Sequence, residues 1–324
     1  MHMADSLVCP YTAATMLACS AAVAVVAYRK TKKDLNKVSL PMAALCGALV
    51  FALQMMNFTI PGTGSSGHLC GGILLAAVLG PYLSFLIMGV ILTVQCFLFA
   101  DGGIMALGAN IWNMGFYGCF VGGFLLRDLF LKNGYSPLKL VTGTTVASVL
   151  SLQLGAFSVT LETLSSGITA LPFGSFCAKM LPIHLAIGVG EGIITSAILL
   201  FIAQTRSSLM WSLHNAEIKM VLSARTIYVV MSVACIVTAG LLSYYASCYP
   251  DGLEWSIEQL NVADLESVTT FFADIQDLTA FMPDYAFNEE GDFAGLAGVI
   301  GTLLVAAAGY GVSKLAVNRS YALS

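Results

Sequence analysis

Charge is scarce in this sequence. Asp, Glu, Lys and Arg make up 10% of its 324 residues, while hydrophobic residues make up 58%. Soluble domains carry about 25% charged residues, so this chain has too few to cover a water-exposed globule. With a mean hydropathy of +0.85, it reads as an all-α polytopic membrane protein. Histidine is scarce too: there are only four, His2, His68, His184 and His214. The nine cysteines include no Cys-x-x-Cys pair, which argues against a cysteine metal site. Most of them lie inside apolar runs and act as small hydrophobes. Cys9, Cys177 and Cys248 lie near run ends and leave room for a disulfide. The start MHMADSL lacks the basic residues of a cleaved signal peptide. A P-loop is missing as well. GTGSSGHL at 62–69 has the glycine spacing, but His68 and Leu69 stand where Lys and Ser or Thr belong. ATP hydrolysis by that route is therefore excluded.

What is present is a series of apolar runs. A bilayer crossing takes about 20 residues, and nine candidate spans follow: 11–28, 40–57, 68–80, 82–100, 104–126, 138–160, 183–204, 222–246 and 294–312. The third is short, which suggests a tilt, partial entry or a break at Gly80-Pro81. With the N-terminus outside, all basic residues except Lys179 fall in cytoplasmic loops, as the positive-inside rule requires. The C-terminus is then cytoplasmic. Residues 247–293 hold 11 of the 18 acids and no Lys or Arg. This external segment is either a solvated linker or a cation-attracting or partner-docking cap. Leu265, Val268, Phe271 and Phe272 among the acids suggest a structured middle. Two units are expected: a seven-span body over 1–215, and a two-span hairpin over 216–324 around the acidic loop. The polar stretch at 206–219 joins them on the inside.

A histidine at position two has special chemistry when the initiator Met is retained, and its bulk favours retention. The free amine of Met1, the amide nitrogen of His2 and its imidazole can form adjacent chelate rings on one metal ion. Planar nitrogen donors suit Ni(II) or Cu(II), whereas Mg and Ca want oxygen. A fourth nitrogen would complete the plane. His214 lies on the inside and cannot supply it. His68 and His184 both lie near the outside, and both remain open as donors on this reading.

MHMADSL at the start, NFTIPGTGSSGHLCGG at 57–72, GPY at 80–82, FLFADGGIMALGAN at 97–110 and LPIHLAIGVGEG at 181–192 resemble a known family. It is the substrate-capture (S) component of nickel/cobalt energy-coupling-factor transporters, the CbiM/NikM family. YPDGLEWS at 249–256 resembles the PDGLE-type accessory N subunit of the same systems, here fused at the C-terminal side. The resemblance implies capture of Ni2+ or Co2+ from outside, as transported substrate with no prosthetic group. It implies a four-nitrogen site made by the amine of Met1, the amide and side chain of His2, and His68. It also implies a coupling transmembrane subunit and separate ATPase subunits as partners, in a prokaryotic cytoplasmic membrane, with no nucleic acid involved. Nickel is favoured over cobalt by planar nitrogen coordination and by the PDGLE segment.

Other residues carry open roles. His184 either supports the site or packs. An ionisable residue within a span, Glu191, is a functional candidate by default; it can serve the site, meet a partner subunit or pair with a polar residue such as Gln153. Asp101 in ADGG reads as a turn or helix cap. Asn57 and Asn113 can bond the metal loop or pack between spans. Glycine pairs such as Gly71-Gly72 and Gly122-Gly123 permit close helix packing. Rival readings as a passive metal channel, a secondary carrier or a haem enzyme lack support: apart from Glu191 the spans are almost without ionisable groups and hold no histidine pair.

Overall fold

The computed structural model describes residues 1–34, 40–213, 220–260, 271–286 and 294–317. The helices in chain order are α1 (Pro10–Asp34), α2 (Leu40–Gln54), α3 (Gly72–Leu79), α4 (Pro81–Phe99), α5 (Leu107–Leu131), α6 (Pro137–Ser166), α7 (Phe173–Arg206), α8 (Ala224–Gly240), α9 (Gly252–Glu258), α10 (Phe271–Thr279) and α11 (Ala294–Val317). One small antiparallel hairpin, β1 (Phe58–Ile60) and β2 (Ser65–Gly67), precedes α3. Helices α1, α4, α5, α6, α7 and α11 are long and apolar enough to cross a membrane. Helices α2 and α8 are apolar but shorter. The all-α polytopic expectation therefore holds.

Local signals set several helix ends. Ser136 accepts a hydrogen bond from the Lys139 amide, and Pro137 opens α6 at its first position. Ser223 caps α8 in the same way. Gly80, at φ +83°, breaks the chain between α3 and α4, and Pro81 starts the new helix.

The helix faces invert the soluble pattern. On α7, Leu185, Val189 and Ile193 are exposed, while His184, Gly188, Glu191 and Thr195 are buried. Apolar side chains thus face lipid and the polar ones face protein. Small residues let backbones meet. Gly72 of α3 lies against the backbone of Gly118 on α5, and Gly188 and Gly192 of α7 lie against Val149 and Thr145 of α6. Gly122 lies against Ser151 and Ile73, and Gly123 against Ala76. The pair α8 and α11 packs on α2.

Three expectations need correction, and one open possibility, a disulfide, does not occur among the described residues. The third span, set at 68–80, contains only the eight-residue α3, about 12 Å of helix; residues 68–71 are non-helical because they form part of the site below. Helix α7 begins at Phe173, ten residues before the expected 183, so His184 lies well inside it. Helix α6 continues to Ser166, which brings a second carboxylate, Glu162, into the protein interior. Cys9, Cys177 and Cys248 are all free thiols. His214, Leu265 and Val268 lie outside the described residues.

The helices carry two groups of loops to opposite ends. Helix α4, 19 residues long and about 28 Å by its rise, separates Gly80 from Asp101. At the Gly80 end, Trp211 packs on Gly80 and lies 4.1 Å under the Arg127 guanidinium. At the other end the N-terminus, the β-hairpin, the Asp101 turn and the 249–256 turn converge.

Candidate metal site

His68 follows β2, and three hydrogen bonds hold the chain after it. Glu191 of α7 accepts from the amides of Cys70 at 2.8 Å and Gly71 at 3.0 Å, one through each carboxylate oxygen. The Gln54 side-chain amide donates to the Cys70 carbonyl at 2.9 Å. Glu191 is therefore a clamp on the histidine loop. It does not pair with Gln153, which donates to the Leu181 carbonyl.

The ring of His68 is oriented by its own loop. Nδ1 lies 3.0 Å from the Leu69 carbonyl oxygen, which can only accept. Nδ1 therefore carries hydrogen, and Nε2 keeps its lone pair. That Nε2 lies 3.4 Å from the amine of Met1. Burial first, then the Met1 ammonium and His2, lower the ring's pKa to about 3, so it is neutral in ordinary buffers.

A relay orients His2. The Cys70 carbonyl accepts from Gln54 Nε2, so Gln54 presents Oε1 to Gln95 Nε2 at 2.9 Å. Gln95 then presents its own oxygen to His2 Nε2 at 3.3 Å. Each step forces the next, and the hydrogen of His2 falls on Nε2. Nδ1 is left to face Asp101, whose Oδ1 lies 3.1 Å away. A carboxylate at that distance stabilises a proton or a metal ion at Nδ1. Burial lowers the ring's basicity and Asp101 opposes it. The rings of His2 and His68 stack, with centroids 5.2 Å apart. Asp101 is thus part of the site, where the sequence suggested a turn or cap.

The amine of Met1 has a second partner. Asp251 Oδ2 accepts from it at 2.8 Å and lies 3.9 Å from His68 Nε2. The other oxygen, Oδ1, accepts from the amides of Leu253 and Glu254, while Glu254 accepts from the Asp251 amide. This capping box starts α9. One carboxylate therefore holds a helix start with one oxygen and the N-terminus with the other. Burial works most strongly against charge on the Met1 amine, but Asp251, together with Cys70 and Asp101, outweighs it and the amine's pKa is raised. Burial likewise works against ionised Asp251, but the ammonium and His68 hold its pKa well below the carboxylate range.

The C-terminal part grips the site from two sides. Ser66 donates through its amide to the Pro250 carbonyl and through its hydroxyl to the Tyr249 carbonyl, both at 2.8 Å. The Trp255 indole donates to the Thr63 carbonyl at 3.0 Å. On the other side, Tyr285 donates to Asp101 Oδ2 at 2.6 Å and stacks on Phe99. Gln276 donates to the Gly102 carbonyl at 2.7 Å.

Met1, His2 and His68 thus come together as expected. His184 shares a small cavity with Met1 and His68. Asn113 donates to Glu162 at 2.7 Å and approaches the Met3 sulfur, which places it beneath the N-terminal segment. Asn57 contributes only its carbonyl, which accepts from Ser247. Sequence reasoning missed Gln54, Gln95 and Asp251 as site residues. For the two glutamines, the signal was a polar side chain inside an apolar run. No group of three His, Cys, Asp or Glu side chains suited to a metal occurs among the described residues.

Residues 2–209 match the family described as the cobalt uptake substrate-specific transmembrane region, CbiM. The chain belongs to the CbiM family. Residues 225–318 match the PDGLE domain. A protein of Archaeoglobus fulgidus, provisionally named fused nickel transport protein NikMN, is 32% identical over 283 residues, covering 84% of this chain and 85% of the relative. The fused nickel transport protein NikMN of Rhodobacter capsulatus is 39% identical over 121 residues, or 37% of this chain and 35% of that one. The cobalt transport protein CbiM of Geobacter sulfurreducens is 28% identical over 221 residues, or 65% and 61%. A crystal structure of a truncated transition metal transporter superposes with a TM-score of 0.54 at 30% identity, covering 62% of this chain and 98% of that one. This CbiM-family chain is accordingly a multi-pass membrane protein of metal transport, a transporter rather than an enzyme.

Proposed function

We propose that the protein captures Ni2+ from outside the cell at a four-nitrogen site: the Met1 amine, the His2 amide nitrogen and Nδ1, and His68 Nε2. The observation that carries this reading is the 3.4 Å approach of the Met1 amine to the lone-pair nitrogen of His68. Neighbouring donors each about 2.0 Å from a metal stand about 2.8 Å apart, so a contraction of roughly half an ångström completes that edge. The relay through Gln54 and Gln95 engages Nε2 of His2 and turns Nδ1, the nitrogen able to chelate together with its own amide, toward Asp101.

The body over 1–215 acts as the capturing unit and the unit over 216–324 as an accessory that closes over the loaded or empty site. With no P-loop in the chain, a coupling transmembrane subunit and an ATPase pair drive import, in a cytoplasmic membrane with the N-terminus outside. Planar nitrogen coordination favours nickel. So does the fused arrangement, since the fused relatives bear nickel transport names. Cobalt is the second reading, supported by the cobalt transport relatives of the N-terminal part.

Calorimetry on purified protein tests the site. His68→Ala, and separately an extension of the N-terminus by a few residues, should each abolish high-affinity nickel binding while expression persists. Retained affinity in either variant refutes the corresponding ligand. Metal content after competition between nickel and cobalt decides the ion.

A further inference from the structure

His184 lies at the rim of the four-nitrogen site and has no place in its plane. Its ring is 1% exposed. Nδ1 lies 2.8 Å from the Met180 carbonyl oxygen of its own helix, which only accepts, so Nδ1 carries hydrogen. In the neutral ring, Nε2 then presents a lone pair, and this buried Nε2 has no hydrogen-bond partner. With Nδ1 turned back to α7, the other side of the ring borders the cavity shared with Met1, His68, Asp251 and Gly252. The fit there is close: a Cβ on Gly252 would come 3.0 Å from the His184 ring. An apolar residue would fill this position without burying an unpaired nitrogen. The lone pair therefore points to a partner that is present only part of the time.

We propose that His184 Nε2 is a transit ligand. It takes the incoming Ni2+ ion as hydration water leaves, and passes it to His68 and the Met1 amine. This rests on the four-nitrogen reading above. No redox change is involved; one nitrogen replaces one water on the ion and is replaced in turn, and the protons given up by the Met1 ammonium and the His2 amide pass to bulk water. A transit ligand lowers the barrier for entry and exit alike, so its loss slows both and leaves the equilibrium untouched.

Stopped-flow mixing of NiCl2 with the full chain, with dissociation measured against a chelator, tests the proposal. In His184→Leu, association and dissociation should both slow about tenfold, with Kd held within about twofold and the absorption of the loaded site unchanged. His184→Gln retains an oxygen donor and should fall between, and it carries the test should the leucine variant fail to fold. Wild-type rates in the variant that folds overturn the proposal. So does a weakened Kd with altered absorption, which would make His184 a resident ligand. His68→Ala, run alongside, separates the two readings: it must lose nickel binding. If it binds as wild type does, the four-nitrogen site falls and the transit step with it.

Discussion

The carboxylate of Asp251 and the amine of Met1 meet at 2.8 Å, although 250 positions separate them in the chain. The contact ties the PDGLE turn to the N-terminus at the point where the amine lies nearest to His68. Nickel needs the lone pair of that amine, and in the empty site the group is an ammonium ion paired with Asp251. Capture must therefore strip one proton from the amine and another from the His2 amide, and change the contact with the PDGLE turn.

The pH dependence follows. Metal competes with the proton on the amine, whose pKa is raised above 8.0. Capture releases a proton from the amine and one from the His2 amide, so apparent nickel affinity should climb steeply with pH through neutrality and about half as steeply above the amine's raised pKa. His68, lowered to about 3, adds no slope in that range. In Asp251→Asn the amine loses its charged partner, so the change of slope should move to lower pH. Calorimetric titration across pH 6 to 9 gives both curves; superimposable profiles would contradict the role assigned to the ion pair.

Acid should destabilise the empty protein. The folded pKa of His68 lies near 3, below the ordinary value of about 6.5. Between these values the unfolded chain binds a proton that the folded chain does not, so stability falls as pH drops through this window. Thermal unfolding in detergent should show a lower Tm at pH 5 than at pH 7, with the difference reduced in His68→Phe.

The Gln54–Gln95 relay predicts a graded loss. Gln95→Leu frees the His2 ring from its tautomer-setting partner and should weaken nickel binding about 10- to 100-fold. Gln54→Leu also releases the Cys70 carbonyl, and should weaken binding at least as much while lowering Tm. Unchanged nickel affinity in Gln95→Leu would show that the ring holds its orientation by packing alone.

Glu191 is predicted to act through the loop. Glu191→Leu leaves the amides of Cys70 and Gly71 without their acceptors, a loss of about 1–3 kcal/mol for each buried donor. Glu191→Gln keeps one acceptor and should lose less. Unfolding and nickel affinity should fall together across the series. A variant that loses transport with binding and stability intact would move Glu191 to a partner interface instead.

Much of this architecture was legible in the sequence because a membrane chain writes its spans as long apolar runs. The His2 chelate was legible for a local reason, as three nitrogens come from two adjacent residues. Other features were not. The eight-residue α3 looked like a span because Leu69, Cys70 and Gly71 read as the start of an apolar run, and only the bonds to Glu191 and Gln54 reveal why they stay out of the helix. Asp251 was one acid among eleven in its segment, and nothing local marks the one that reaches Met1. Asp101 sits in a glycine turn, so a turn role explained it fully until Tyr285 and His2 closed on its two oxygens. Long-range pairing of this kind carries no periodicity.

X-ray absorption at the nickel edge of the loaded protein tests the central claim most directly. The account predicts a square-planar ion with a single shell of four light donors, lost when the N-terminus is extended. A six-coordinate oxygen-rich shell, or a sulfur scatterer from Cys70, would contradict it.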